Sequence, residues 1–423
     1  MMTCFLLEAT ESGGSLWQTL TGHRAVFAYL VILLLAVVAL MAAFILKSGR
    51  DMKAREAERK RLKEKRRFSR LSEADAKRRA HKQEQFDEVE SLSLLCESFR
   101  NYAASEMGLY YEEDVIRAFV SSLAVSRLVI MQGISGTGKT SLSYAFGKFI
   151  GRDALIVPVQ PSWKDRTDML GYYNEFTDSY TETELLCKLY EADLCGDICT
   201  VVLDEMNIAR VEYYFAEFLS LLELPEGTDR RLRVTADSRD NDPALFEGGT
   251  LKLPDNVWFV GTANNDDSTL AISDKVYDRA FVIELNGRCK PFPAESAGRA
   301  PVSYARLTEL FDAAAREHPA SERVKGILSA TDEYLSEHLG VSAGNRVMRQ
   351  AERFIPVFVS CGGGEDEAAD ILICRKLLRK LDGVNPVLVR SEADGVARFL
   401  DGAFGEYSPS LSLAYVNKFR SVN

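Results

Sequence analysis

Residues Leu128–Leu142 read LVIMQGISGTGKTSL, the segment most informative about the architecture of the chain. It opens with four apolar residues typical of a buried strand, and Gly133–Thr140 then fits the pattern GxxxxGK(S/T) in full. Glycines at this spacing let the backbone curl until its N–H groups face a phosphate. A helix beginning near Lys139 adds the positive end of its dipole. The stretch therefore predicts a strand, a phosphate-binding loop (P-loop) and a helix in succession.

The P-loop supplies most of the candidate binding residues. We expect Lys139 to reach the β- and γ-phosphates of a nucleotide and Thr140 to hold Mg²⁺. The residues predicted to bind nucleotide in the loop and the following turn are Gly133, Ser135, Gly136, Thr137, Gly138, Lys139, Thr140 and Ser141.

Two further strands follow, and the second of them ends in carboxylates. Ala154–Gln160 is the first of these strands, and Ile198–Leu203 is the second. The latter runs directly into Asp204 and Glu205, which is the Walker B arrangement. We expect Asp204 to hold the Mg²⁺ shell together with Thr140, and Glu205 to polarise the attacking water as a catalytic residue.

A fourth and a fifth strand complete the predicted sheet. Asn256–Gly261 leads into two asparagines, of which Asn264 is the preferred γ-phosphate sensor and Asn265 the alternative. Phe281–Leu285 is the fifth strand, and Arg279 lies just before it. Apolar strands that alternate with helical stretches predict a parallel α/β sheet with its ligand at the carboxyl ends of the strands.

Four blocks of sequence together resemble AAA+ ATPases of the McrB-like and MoxR-like branch. Besides GISGTGKT they are VQPSWKDRTDMLGYYN (Val159–Asn174), VVLDEMNIARVEYYFAEFLSLLE (Val201–Glu223) and VGTANNDDSTLAISDKVYDRAF (Val260–Phe281). The resemblance extends over about Tyr110–Gly383. It implies a P-loop AAA+ fold, with a five-stranded parallel sheet, helices on both faces and a C-terminal helical lid. It also implies ATP as the nucleotide, with GTP as the alternative because McrB prefers GTP.

The same resemblance implies a ring of identical subunits, a hexamer, with sites between subunits. Arg279 is then the arginine finger, a catalytic residue supplied to the neighbouring site. Arg346 lies at the start of a stretch that resembles the sensor-2 helix of the lid, where it would touch the γ-phosphate; a surface arginine is the alternative. The sequence departs from the McrB pattern at Ser268 and Ala280, where that pattern has arginines.

An apolar segment near the amino terminus predicts a membrane anchor. Ala25–Leu46 is 22 residues without a charge, long enough to span about 30 Å of hydrocarbon as a helix. The segment Lys47–Lys82 that follows has 16 Lys and Arg against 6 Asp and Glu. By the positive-inside rule, the N-terminus lies outside and the nucleotide-binding part is cytoplasmic, in a single-pass membrane protein.

These patterns predict five successive parts of the chain. They are a short extracytoplasmic tail (1–24), a transmembrane helix (25–46), a basic helical stalk (47–106), an AAA+ nucleotide-binding α/β domain (107–290), and a helical lid with a C-terminal segment (291–423).

Charge bears on the partners of the chain. The net charge is −10 although the segment after the apolar run is strongly basic, so the remainder of the chain is acidic and a poor electrostatic partner for DNA. We therefore favour a membrane-tethered ATPase that remodels an unidentified protein partner. The alternative is an McrB-like motor that drives a separately encoded nuclease, and direct binding of nucleic acid stays open.

Overall fold

The structure of the protein, a computed structural model, describes residues 31–53, 66–78, 89–225, 227–264, 266 and 269–421. It divides into two compact units. The first is residues 1–66 with Arg239–Asn241, and the second is residues 67–238 and 242–423. The second unit contains the sheet and the predicted site.

Helix α1 spans Val31–Lys53 and lies in the first unit. Its 23 residues have an apolar window of mean hydropathy 2.7, so the helix is long and apolar enough to cross a membrane. A membrane span and a signal sequence both fit such a helix. The predicted span 25–46 begins outside the described residues, and the structure continues the helix into the basic residues that follow it.

The central sheet has five parallel strands in the order β2-β5-β8-β1-β9. This confirms the predicted sheet. The strand that carries the P-loop therefore lies between β8 and β9, and the Walker B strand lies on the far side of β8. Two short antiparallel hairpins, β3–β4 and β6–β7, complete the set. The strands are β1 Leu128–Gly133, β2 Leu155–Pro158, β3 Gly171–Asn174, β4 Ser179–Glu182, β5 Cys199–Asp204, β6 Arg231–Arg233, β7 Thr250–Lys252, β8 Val257–Asn264 and β9 Phe281–Leu285.

Helices cover both faces of the sheet and form the lid. One apolar core joins α3, α4 and α5 to the lid helices α11–α16, and a second lies under α7, α8, α9 and the hairpins. The helices of this unit are α2 Arg70–Arg78, α3 Leu92–Met107, α4 Glu113–Val125, α5 Lys139–Phe149, α6 Thr167–Leu170, α7 Glu184–Cys195, α8 Val211–Tyr214, α9 Ala216–Leu222, α10 Asp274–Tyr277, α11 Tyr304–Glu317, α12 Glu322–Leu339, α13 Asn345–Ser360, α14 Glu365–Leu372, α15 Pro386–Phe404 and α16 Ser410–Ser421.

Part of the predicted stalk 47–106 is packed into the second unit. Arg67 is 2% exposed, and its guanidinium donates two hydrogen bonds, of 2.7 and 2.6 Å, to the carboxylate of Asp242. Phe68 is 1% exposed and stacks on Tyr180 with ring centroids 4.8 Å apart. Helix α3 also packs in the core, as the helical spacing of its apolar residues Leu92, Leu95, Phe99 and Tyr102 predicts. The stalk was predicted from the polar composition of the segment, but paired charges can be buried, because a bidentate ion pair satisfies both partners.

Candidate nucleotide-binding site

The P-loop runs from the end of β1 into α5, and its glycines are required by its geometry. Gly136 and Gly138 have φ of +79° and +89°, a region that other residues rarely adopt. At Gly133, which has φ +148°, a Cβ atom would lie only 2.2 Å from the carbonyl oxygen of Leu285 on the neighbouring strand. The loop is therefore a close-fitting backbone cradle at the carboxyl edge of the sheet, as phosphate binding requires.

Lys139 points back into this cradle. Its ammonium donates hydrogen bonds to the carbonyl oxygens of Gly133 at 3.0 Å and Ile134 at 2.7 Å, and the residue is only 7% exposed. Burial lowers the pKa of Lys139, and the negative charge of Asp204 acts most strongly in the opposite direction. A phosphate at the loop would supply the additional negative charge that stabilises the buried ammonium.

The other predicted loop residues follow the same curve. Thr137 is 7% exposed, and its hydroxyl donates to the carbonyl oxygen of Ile134 at 3.0 Å, which closes the loop. Ser135 is exposed in the loop, and Ser141 lies partly buried in the first turn of α5. Their assignment as nucleotide-binding residues stays a prediction.

Two hydroxyl groups converge on the carboxylate of Asp204. The Thr140 hydroxyl donates to Oδ1 of Asp204 at 2.6 Å, and the Thr262 hydroxyl donates to the same oxygen at 2.9 Å. The Thr262 oxygen also accepts the backbone N–H of Glu205 at 2.8 Å. The sequence analysis did not select Thr262. Thr262 could have been predicted from the sequence, because it lies two residues before Asn264 on β8 and side chains two residues apart on a strand share a face.

Glu205 has an unusual backbone. Its φ of +52° and ψ of +48° place a residue other than glycine in the left-handed region, at a cost on the order of 1–3 kcal/mol. The side chain is exposed. The bond from its N–H to Thr262 helps to hold this conformation. The structure thus presents an exposed carboxylate directly after Asp204, and its role as a proton acceptor stays a prediction.

Asn264 ends β8 and is paired in register with Gly133 on β1. Its side-chain oxygen is buried and has no hydrogen-bond partner among the described residues, and the same holds for the side-chain oxygen of Asn207. Asn207 donates through its amide to the main-chain oxygen of Asn264 at 2.9 Å. Two buried acceptors without partners beside a P-loop fit a site that holds a polar ligand or water. The alternative, Asn265, lies outside the described residues.

Arg279 and Arg346 lie at the other edge of the sheet. Strands β1 and β9 are parallel, the P-loop follows the carboxyl end of β1, and Arg279 precedes the amino end of β9. The length of β9 alone is about 13 Å at the usual rise per residue. Both arginines form ion pairs with Glu223, and among the described residues neither has a hydrogen bond or ion pair with the P-loop. Of the two departures from the McrB pattern, Ala280 is buried and Ser268 lies outside the described residues.

Two residues that the sequence analysis did not select contact the P-loop. Arg288, in the segment after β9, donates from Nε to the carbonyl oxygen of Gly136 at 2.8 Å. Tyr111, before α4, donates its hydroxyl hydrogen to the carbonyl oxygen of Gly138 at 3.0 Å, and burial raises the pKa of Tyr111. Neither residue belongs to a sequence motif, so only the three-dimensional structure shows that they contact the loop.

The sheet order, the glycine cradle and the acidic end of β5 define a parallel α/β fold with a P-loop, followed by a C-terminal set of helices. The chain is 22% identical over 189 residues to the type IV methyl-directed restriction enzyme EcoKMcrB subunit of Escherichia coli K12. That match covers 41% of this chain and 38% of the length of the relative.

Two other comparisons complete the findings. No family model matches the chain. The crystal structure of a full-length MCM homolog from Methanopyrus kandleri superposes with a TM-score of 0.36 and 15% identity, over 70% of this chain and 64% of that one.

Proposed function

We propose that the chain is a membrane-tethered AAA+ NTPase that couples ATP binding and hydrolysis to the remodelling of a protein partner. The observation that carries this proposal is the convergence of Thr140 and Thr262 on one oxygen of Asp204, directly beside Lys139 and the P-loop glycines. Residues from three strand ends thus meet at the carboxyl edge of the sheet, where open α/β sheets bind their ligands.

Different residues of the chain have different roles in the proposed hydrolysis. Lys139 binds the phosphates, and Asn264 orients the attacking water through its unpartnered side-chain oxygen. Glu205 accepts the proton of that water. Thr140 and Asp204, an alcohol and a carboxylate 2.6 Å apart, are suited to Mg²⁺, which prefers oxygen ligands. When bound, Mg²⁺ neutralises charge on the phosphates.

Lys139→Ala is expected to weaken nucleotide binding about 100-fold, because it removes the charge-assisted contacts to the β- and γ-phosphates. Lys148→Ala is the matched control, since Lys148 lies on the same helix but pairs with Asp153 outside the site. Titration of ATP and of GTP against the full chain measures both variants. Equal affinity of Lys139→Ala and wild type would contradict the proposed site, and the ratio of the two nucleotides identifies the preferred base.

A ring assembly is part of this proposal. Because Arg279 lies at the amino edge of the sheet, it cannot complete the site of its own subunit, whereas a neighbour's site can receive it. We propose a homo-oligomeric ring, a hexamer, in which Arg279 is the finger for the next subunit. Closed head-to-tail rings arise from this kind of heterologous interface.

The hairpin β3–β4 supports a protein as the partner. Phe176 at its turn is fully exposed and Tyr172 is 54% exposed. In contrast, the Trp163 ring packs edge-on against Tyr214, and the Tyr173 hydroxyl donates to Asp178. Exposed aromatic side chains at a hairpin tip offer large contact area for another polypeptide, because aromatic residues are enriched where proteins bind one another.

The proposed topology is an N-terminus outside and a nucleotide-binding domain in the cytoplasm. Protease added to intact cells is therefore expected to leave residues 47–423 uncut, and the same protease is expected to degrade them after the cells are lysed. Detection with a C-terminal tag follows the fragment. Loss of the tagged domain in intact cells would contradict the orientation.

The match to a restriction enzyme subunit favours a second candidate, a motor for a separately encoded nuclease. Two of the three arginines at the β6–β7 hairpin are paired within the protein, and the third, Arg233, is exposed. Arg230 pairs with Asp255 and is buried, and Arg231 pairs with Asp229 and Glu247. Turnover that rises severalfold on adding duplex DNA would favour the second candidate, and turnover unchanged by DNA would favour the first.

A further inference from the structure

One carboxylate binds both of the arginines that were predicted to contact a γ-phosphate. Glu223, directly after α9, accepts a hydrogen bond from Arg279 at Oε2 and one from Arg346 at Oε1, the latter 2.6 Å long. Arg279 comes from the turn before β9 and Arg346 from the lid helix α13. This ion-paired cluster is therefore one of the contacts that join the α/β domain to the lid, together with the ion pairs Arg375–Glu284 and Lys380–Asp278.

Arg279 is withdrawn in this arrangement. Its side chain is only 14% exposed, and it also donates to the main-chain oxygen of Lys275 at 2.6 Å. Its Nε is buried and has no hydrogen-bond partner among the described residues. A finger that completes a neighbour's site must leave Glu223 or carry it along, because the guanidinium is bound to that carboxylate.

The surroundings are suited to an anion more strongly charged than Glu223. A cavity of about 510 Å³ opens at the cluster, where the acidic lining residues Glu223 and Asp278 are outnumbered by arginines. The lining arginines are Arg127, Arg230, Arg279, Arg346, Arg349 and Arg353. Planar guanidinium groups bind phosphate oxygens in bidentate fashion, so a triphosphate competes well with a carboxylate for them.

We infer that Glu223 is a latch, a positioning residue that holds Arg279 and Arg346 in the isolated subunit and yields them to the terminal phosphate of a nucleotide bound by a second copy of this chain. This inference rests on the proposed ring NTPase and adds its regulation. The ion pairs to Arg279 and then Arg346 keep the pKa of Glu223 below its usual range, so the latch stays charged at neutral pH.

The test is the turnover per subunit of the full chain in detergent or vesicles as a function of protein concentration. Glu223→Gln keeps the size of the side chain but removes its charge. It is expected to reach half-maximal turnover at a protein concentration about fivefold lower than wild type, the usual scale of a partly exposed ion pair. Glu223→Asp retains the charge and is expected to resemble wild type.

Matched variants separate the latch from other effects. Glu217→Gln removes an ion-paired carboxylate from the same helix, one that binds Arg166, and is expected to leave the concentration dependence unchanged. Glu223→Gln combined with Arg279→Ala is expected to lose the gain, because the latch acts through the finger. Thermal melting of each variant establishes that it is folded.

Each result decides between the latch and the wider proposal. If Glu223→Gln lowers turnover at saturating protein, the residue orients the finger instead of restraining it, and the latch is refuted. An unchanged concentration dependence in folded Glu223→Gln also refutes it. If wild type itself has no NTPase activity, or if Lys139→Ala is as active as wild type, the proposed function fails first.

Discussion

Glu205→Gln is expected to bind nucleotide as tightly as wild type and to lose turnover by a factor on the order of 10²–10⁴. A positioned general base contributes an effect of this size, and glutamine cannot accept the proton. The substitution keeps the hydrogen bond that holds the backbone at residue 205, because that bond runs from the main-chain N–H to Thr262. Release of phosphate measures the rate, and equilibrium titration measures the affinity.

The unusual backbone at this position sharpens the experiment. A φ of +52° is similarly unfavourable for glutamic acid and for glutamine. The substitution therefore leaves the backbone strain unchanged and tests the carboxylate alone. Glu191→Gln, the same substitution at an exposed site on α7, is the control. Turnover of Glu205→Gln within a few fold of wild type would show that the Walker B assignment is wrong.

The sheet could be predicted from sequence because its chemistry is local. The P-loop pattern alone predicts the strand before it and the helix after it. The fourth strand was predicted to carry an asparagine at its tip, and β8 ends at Asn264. Ala263 and Asn264 belong to this strand because they pair in register with β1. A hydropathy pattern does not show which strands pair with one another.

The ion-paired clusters could not be predicted, because they join residues far apart in the chain. Glu223 meets Arg279 and Arg346 across 56 and 123 residues. Arg67 meets Asp242 across 175 residues. When the partners of a run of charged residues are unknown, the sequence predicts a solvated surface. A polar stalk was therefore predicted for residues that the structure shows to be buried.

Membrane tethering and the ring have consequences for each other in this proposal. Subunits held in one bilayer have a high effective concentration, so a finger that acts between subunits gains from the tether. A latch that restrains Arg279 in a lone subunit would then limit idle turnover before assembly. Residues 54–65, which lie between helix α1 and the second unit in the chain, are outside the described residues.

Mixing two inactive variants is expected to restore activity if Arg279 acts between subunits. Arg279→Ala alone is expected to bind nucleotide and to lose turnover about 10³-fold, the usual worth of an arginine finger supplied in trans. Lys139→Ala alone is inactive because its own P-loop fails. The structure motivates the experiment, since Arg279 and the P-loop lie at opposite edges of one sheet and would serve different interfaces in the proposed ring.

In a mixed ring the two substitutions need not affect the same interface. An interface is intact where Arg279→Ala supplies the P-loop and Lys139→Ala supplies the finger. Random mixing in equal amounts gives about one such interface in four, so turnover is expected to approach about a quarter of wild type when interfaces act independently. Each variant mixed with wild type is the control for assembly. A mixture that co-assembles and stays inactive would contradict the assignment of Arg279, and full turnover by an isolated wild-type monomer would exclude any finger supplied in trans.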